Sequence, residues 1–158
     1  MCELCIRQIY IMVNKMFKQD LVEWQKVERE FVSRLMRYDV KSIEFSQGRF
    51  PDWDVKATFV KDWKTIERTY EIKADFKAES TWNVGIEYMC NWHPSGIYTS
   101  KSDYIVYKIW DKFYYADRIR FIIELSKCLK ADVCGWDNDN SQMWLVKRDV
   151  FNLLTNEL

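Results

Sequence analysis

From Leu21 to about Tyr38 apolar residues return at steps of three and four, at Leu21, Trp24, Phe31 and Leu35, with Asp20 placed as an N-cap. That spacing predicts an amphipathic helix. Glu28 fills the gap in the stripe: at 3.6 residues per turn it lies within about 40° of Trp24 and about 20° of Leu21 and Leu35, while Glu30 is expected to point nearly the opposite way. A carboxylate on a core-facing stripe is costly if ionised and unpaired. It therefore binds a metal, pairs with a cation, or sits at the stripe's edge with its head in water.

Beyond the helix the period changes to two. "KSIEF" is a short strand, followed by the polar "SQG". From Asp52 to Val60, Trp53, Val55, Ala57 and Phe59 face one way and Asp52, Asp54, Lys56 and Thr58 the other. After a polar turn at "KDWKT", Ile66, Tyr70, Ile72, Ala74 and Phe76 alternate with Glu67, Thr69, Glu71, Lys73 and Asp75. The two runs predict an antiparallel hairpin with Asp54, Glu71 and Lys73 on one sheet surface. Further strands are expected from Val84 to Met89 and from Tyr104 to about Ile109, with a Pro-Ser-Gly turn and a single helical turn between them. A second amphipathic helix is expected from Asp117 to Lys130, with Ile119, Ile122, Ile123, Leu125 and Leu129 toward the core. "MWLVKRDVFNLL" reads as a strand leading into a short terminal helix. The order, roughly αβββ(β)αβ, predicts an α+β fold with helices packed against a central sheet.

The 158 residues are expected to form one domain over 19–158, after an amino-terminal tail at 1–18 of unknown role. With 48% apolar residues, 16% aromatic residues, 4 Gly and 2 Pro, the composition excludes a disordered or low-complexity chain. The 24 basic residues balance the 24 acidic ones, so a phosphate-binding surface would have to arise by local segregation of charge. Five cysteines without a disulfide-framework spacing predict a reducing, cytoplasmic setting. Cys2 and Cys5 form half a zinc site, but no second pair follows and His93 is the single histidine, so free thiols are the expectation. The run "CIRQIYIMV" is too short and too charged to span a membrane, and no membrane partner is expected.

The chemistry concentrates on the hairpin. Magnesium prefers oxygen ligands, commonly one or two carboxylates with substrate phosphate and water, and Asp54 and Glu71 on adjacent strands offer two. Lys73 emerges on the same face, where an ammonium orients water or stabilises charge on a phosphoryl oxygen. Glu28, beneath or beside them, would complete the metal shell or hold a water. These are the ingredients of metal-assisted phosphodiester hydrolysis. The competing reading is a solvated strand face of alternating charges.

"FPDWDV" followed by "YEIKAD" resembles the PD-(D/E)xK, restriction-endonuclease-like nuclease superfamily, with its Pro-Asp element at Pro51 and Asp52 and its Glu-x-Lys element at Glu71, Ile72 and Lys73. "KVEREFVSRL" resembles the first helix of Holliday-junction resolvases in that superfamily, whose glutamate falls on Glu28. "WNVGIEY" and "PSGIYTSKSDYIVY" look like the continuation in phage-type members. The resemblance covers roughly Trp24 to Tyr107 and departs at Trp82, where glycine is expected before "NV". It implies a central mixed sheet flanked by helices, a magnesium- or manganese-dependent nuclease, and a catalytic set of Glu28, Asp54, Glu71 and Lys73. Asp54, followed by an apolar strand, is the favoured metal ligand beside Glu71 and Glu28, with Asp52 as the alternative.

Lys101, with Ser95, Thr99 and Ser100, is a candidate DNA-backbone contact, or else an ordinary polar turn. Glu87 and Asp75 are candidates to support the ligands from behind, Glu87 also as a partner for Lys73. Trp82, Trp92 and Trp136 stand in polar, loop-like contexts where bases could stack. The expected activity is endonucleolytic cleavage of branched DNA by a homodimer, since resolving a junction needs two coordinated cuts. The expected setting is intracellular, with virus or phage encoding left open. The alternatives are a nickase, exonuclease or restriction-type nuclease on the same scaffold, or a catalytically silent DNA-binding module.

Overall fold

The structure, a computed structural model, describes residues 22–47, 52–128, 132–134 and 141–158. Cys2, Cys5, Asp20, Leu21, Pro51, Leu129, Lys130 and Trp136, named above, lie outside them. Helix α1 covers residues 22–35. It is followed by β1 (Val40–Phe45), β2 (Val55–Lys61), β3 (Lys64–Ala74), the one-turn helix α2 (Ala78–Thr81) and β4 (Asn83–Cys90). Next come β5 (His93–Pro94), a 3-10 turn (Gly96–Tyr98), β6 (Tyr104–Ile109), β7 (Lys112–Asp117) and α3 (Arg118–Cys128). The chain ends with β8 (Asp132–Cys134), β9 (Ser141–Lys147), α4 (Arg148–Leu154) and β10 (Asn156–Glu157).

The fold is α+β. Six strands form a mixed sheet in the order β1-β2-β3-β6-β7-β10, and four form a second sheet in the order β5-β4-β9-β8. The large sheet is mixed because β3 and β6 run parallel, Glu71 opposite Ile105 and Lys73 opposite Tyr107, while its other neighbours are antiparallel. Parallel strands need a long crossover. Here the crossover carries α2, β4, β5 and the 3-10 turn, which places part of the second sheet against the first.

Each face of the large sheet has its own core. On one face Val27, Phe31 and Leu35 of α1 close over Val55, Ala57, Tyr70, Ile72, Val106 and Phe113. The Phe31 ring stands edge-on to Tyr70, with centroids 5.2 Å apart. On the other face Ile105, Tyr107, Ile109, Tyr114 and Ala116 meet Val84 and Ile86 of β4, Phe121 and Leu125 of α3, and Phe151 of α4. Burying each such side chain contributes about 1.5–3 kcal/mol. Phe151 is the common neighbour, edge-on to Tyr107, Tyr114 and Phe121.

Several expectations change. The core stripe of α1 is centred on Val27, Phe31 and Leu35, so Trp24 is 36% exposed and Glu28 lies on the stripe's flank. Glu30 does not point away: it flanks the stripe on the other side and pairs with Lys108 of β6. In α3 the core residues are Phe121 and Leu125, while Ile119 and Ile123 are exposed. Phe76, expected to continue the apolar face of β3, lies beyond the strand and is exposed. Strand β7 and the division into two sheets were not anticipated. The missed turn between β6 and β7 has an identifiable cause. At its position of positive φ, where Gly or Asn is usual, the chain places Trp110, so the ordinary turn signal is missing. Among the described residues no helix is long and apolar enough to cross a membrane.

Candidate active site

The candidate site forms where β3 runs on past the end of β2. Pairing between them stops at Val55 and Tyr70. The backbone of Asp54 still donates to the Tyr70 carbonyl at 2.9 Å, and then its side chain takes over: Oδ2 accepts the Ile72 N–H at 2.6 Å. Glu71 and Lys73 flank Ile72 and project from the opposite face, as period two requires. The Lys73 Nζ lies 2.6 Å from Glu71 Oε1. Glu71 is buried at 8% exposure, whereas the Lys73 side chain keeps 34%.

These charges act on one another. Burial, then the negative charge of Glu71, pushes the Asp54 carboxyl up to about 6 from an ordinary 3.8, although the Ile72 hydrogen bond and the Lys73 charge pull the other way. Glu28 is also raised, first by burial and then by Asp54, with Arg29 opposing, Glu71 adding and Lys73 opposing. Burial works against the Lys73 ammonium, but Glu71, Asp54 and Glu87 outweigh it and hold its pKa above the ordinary lysine value. Lys73 therefore keeps its proton at neutral pH. Negative charge on Glu71 thus opposes ionisation of both Asp54 and Glu28, and Lys73, paired with Glu71, partly offsets it.

The other predicted residues have other tasks. Asp52 is turned to Lys101, whose Nζ lies 3.0 Å from its Oδ1, and the Lys101 N–H donates to the Asp52 carbonyl. Both side chains are exposed. Ser100 is buried, hydrogen-bonded to Ser102 at 3.0 Å, and Ser95 donates to Glu87 Oε1 at 2.8 Å. Thr99 is exposed and donates to the Gly96 carbonyl. Asp75 ties three elements together: Oδ1 accepts the Lys77 and Ala78 N–H groups at the start of α2, and Oδ2 accepts the Gly85 N–H of β4 at 2.7 Å. His93 is exposed on β5.

A cleft of about 400 Å³ opens directly beside Lys73, walled by Trp24, Phe76, Tyr107, Asn83 and Leu145 among others. It was not anticipated, because its walls come from α1, the end of β3, and strands of the second sheet. Gly85 sits in its wall, where an added Cβ would stand 3.0 Å from Met143 Sδ. The one signal in the sequence was Phe76 itself, an apolar side chain that a strand ending at Ala74 leaves exposed.

The donor set suits a hard cation. Among the described residues no three His, Cys, Asp or Glu side chains gather as a ready metal cage. Zinc, which is usually enclosed by four nitrogen and sulfur ligands, does not fit. Magnesium or manganese fits better, since it takes one or two carboxylates and fills its remaining positions with water and phosphate oxygen. Asp54 and Glu71 supply that pair, and a cation between them would relieve the repulsion that raises Asp54. Comparison with protein-family models, curated proteins and solved structures finds no match for this chain.

Proposed function

We propose that this chain is a metal-dependent deoxyribonuclease of the PD-(D/E)xK type that hydrolyses phosphodiester bonds, with branched DNA as its preferred substrate. The observation that carries the reading is the meeting of Asp54, Glu71 and Lys73 at the open end of β3, with Glu28 brought in from α1. Asp54 and Glu71 would hold magnesium or manganese, with Glu28 as a third carboxylate. The ion would supply Lewis acidity and an acidified water.

The chain's own residues do the rest. The Ile72 N–H donates to Asp54 Oδ2 and fixes the carboxylate, leaving its second oxygen outside that bond. Lys73, protonated, is a fixed cation that stabilises charge building on the phosphoryl oxygens as the water oxygen bonds to phosphorus and the bond to the departing sugar oxygen breaks. It is not the proton acceptor. A carboxylate must take the water's proton, and Glu28, the one outside the Asp54–Glu71 pair, would be that base. Cutting a four-way junction symmetrically requires two such sites, so the working form would be a homodimer. Lys101 and Thr99 are exposed, but a DNA backbone would have to draw Lys101 from Asp52 and Thr99 from the Gly96 carbonyl, whereas Ser95 and Ser100 shape the turn between β5 and β6.

A second reading draws on the Lys73–Glu71 ion pair itself, which could be purely structural in a DNA-binding module without catalysis. Labelled four-way junction, linear duplex and single-stranded DNA, incubated with magnesium, manganese or chelator, separate the readings. Paired metal-dependent cuts in the junction, lost in Lys73→Ala, are expected. Cutting of every substrate keeps the nuclease and removes the branch preference. Binding without cutting by folded protein supports the module.

A further inference from the structure

We infer that the cleft beside Lys73 receives an unpaired nucleobase adjoining the scissile phosphate, so that the substrate class is DNA with unpaired nucleotides at the cut, such as single strands, flaps and branch points. The inference deepens the nuclease reading and rests on it for the position of the phosphate. Four observations carry it. First, Lys73 is both the cation of the candidate site and part of the cleft wall, so the two spaces are continuous. Second, the wall is aromatic. Trp24 stands one helical turn before Glu28 on the same side of α1, and Phe76 follows Lys73 by three residues. Third, both rings are available, at 36% and 63% exposure, whereas Phe31, Phe113, Phe121 and Phe151 are fully buried. Fourth, polar groups share the wall with the rings: Lys77, Thr81 and Asn83 line it beside Trp24 and Phe76.

A phosphate held at Lys73 is joined through a single sugar to its base, which therefore falls within reach of the cleft. The alternatives fit less well: a lipid tail or an apolar peptide would gain nothing from the charged Lys73, Asp75, Lys77 and Glu87 that share the wall. Every base has a π-face, so stacking on Trp24 or Phe76 is tolerant of sequence. A base inside a duplex is already stacked and paired and must be extruded at a cost, which is least for one already single-stranded, as in a flap or at an open branch point. The cleft thus gives structure selectivity without base selectivity. Tyr107, in register with Lys73 and buried at 4% exposure, closes the floor.

The test uses the full chain and oligonucleotides carrying the fluorescent base 2-aminopurine, either unpaired next to a branch or fully paired in duplex, in chelator so that no cutting occurs. Wild type is expected to quench the unpaired probe and leave the duplex probe unchanged. Trp24→Ala and Phe76→Ala should each weaken binding of the unpaired probe about tenfold and lose its quenching. Trp63→Ala, a fully exposed ring at the far turn of the hairpin, should change neither. Equal quenching of both probes, or quenching that survives the Trp24→Ala/Phe76→Ala double substitution, overturns the inference. The same probes are then given magnesium. Cutting by wild type without ring-dependent quenching rejects the cleft and keeps the nuclease. Ring-dependent quenching without cutting supports the base cleft and rejects the nuclease.

Discussion

Asp54 continues with its side chain the ladder that β2 gives up: its Oδ2 receives the Ile72 N–H at 2.6 Å, one residue pair beyond the last backbone pairing of Val55 with Tyr70. The carboxylate is therefore locked to the strand segment that carries Glu71 and Lys73. Asp54→Asn keeps an acceptor for Ile72, whereas Asp54→Ala leaves a half-buried N–H unpaired. Chemical denaturation should show Asn close to wild type and Ala destabilised by about 1–3 kcal/mol. If the nuclease reading holds, both lose metal-dependent cutting, by a hundredfold or more on the scale of removing a preorganised charge at a reacting centre.

The raised Asp54 carboxyl also fixes the sign of a pH effect. With a folded pKa of about 6 against an ordinary 3.8, the folded state holds the proton more tightly than the unfolded state. Stability from this group is complete below pH 4 and is lost as the pH rises through 6, by roughly 2 kcal/mol after allowance for solvent. Thermal unfolding of the chelated protein at pH 4.5 and 7, with and without Asp54→Asn, isolates the contribution. The substitution should flatten this part of the profile. An unchanged slope in the variant would mean that burial and Glu71 together do not raise the Asp54 carboxyl.

Glu71 is buried and its salt bridge to Lys73 is half sheltered, so breaking it from one side should cost more than removing both charges. Lys73→Met is expected to destabilise by about 1–3 kcal/mol, and Glu71→Gln in the same chain to recover at least half of that loss. A double-mutant cycle by urea denaturation gives the coupling. Coupling near zero would leave the 2.6 Å contact without energetic weight.

Much of this arrangement was legible along the chain. Period two placed Asp54, Glu71 and Lys73 on one surface because β2 and β3 are joined by a short turn, and local pairing follows from local pattern. Glu28 was legible for a related but different reason: it borders the apolar stripe, whose centre is Val27, instead of lying within it. The cleft was not legible. Its walls combine Trp24 and Phe76 with Gly85, Met143 and Leu145, and no periodicity connects positions so far apart. Exposure of Ile119 and Ile123 was hidden similarly, since which side of α3 is buried depends on the placement of α4 and the sheet.

Asp75 illustrates the same limit. By alternation it belongs with Glu71 and Lys73, but its two oxygens are occupied by Lys77, Ala78 and Gly85 N–H groups. It joins β3, α2 and β4, so Asp75→Ala should lower stability by about 2–4 kcal/mol. Asp75→Asn, able to accept some of those bonds, should fall between. A loss of cutting in Asp75→Asn with unchanged stability would instead place this carboxylate in the chemistry.

The tryptophans at the turns lead to the last prediction. Trp63 has φ +63 and is fully exposed, so its ring buries nothing while its Cβ bears the left-handed penalty of about 1–2 kcal/mol. Its partner in the turn, Asp62, also has positive φ, which makes a two-residue connection of the kind that favours Asp-Gly. Trp63→Gly removes the Cβ penalty but adds freedom to the unfolded chain, roughly 0.5–1 kcal/mol in the opposite direction. The balance should stabilise by up to about 1 kcal/mol, read as a higher denaturation midpoint with unchanged slope. The turn lies at the end of the hairpin remote from Asp54, so under the nuclease reading cutting should not change. Trp63→Phe, which keeps a Cβ and an exposed ring, should gain no stability. If glycine instead destabilises the hairpin, the ring must be making a contact that its full exposure does not reveal.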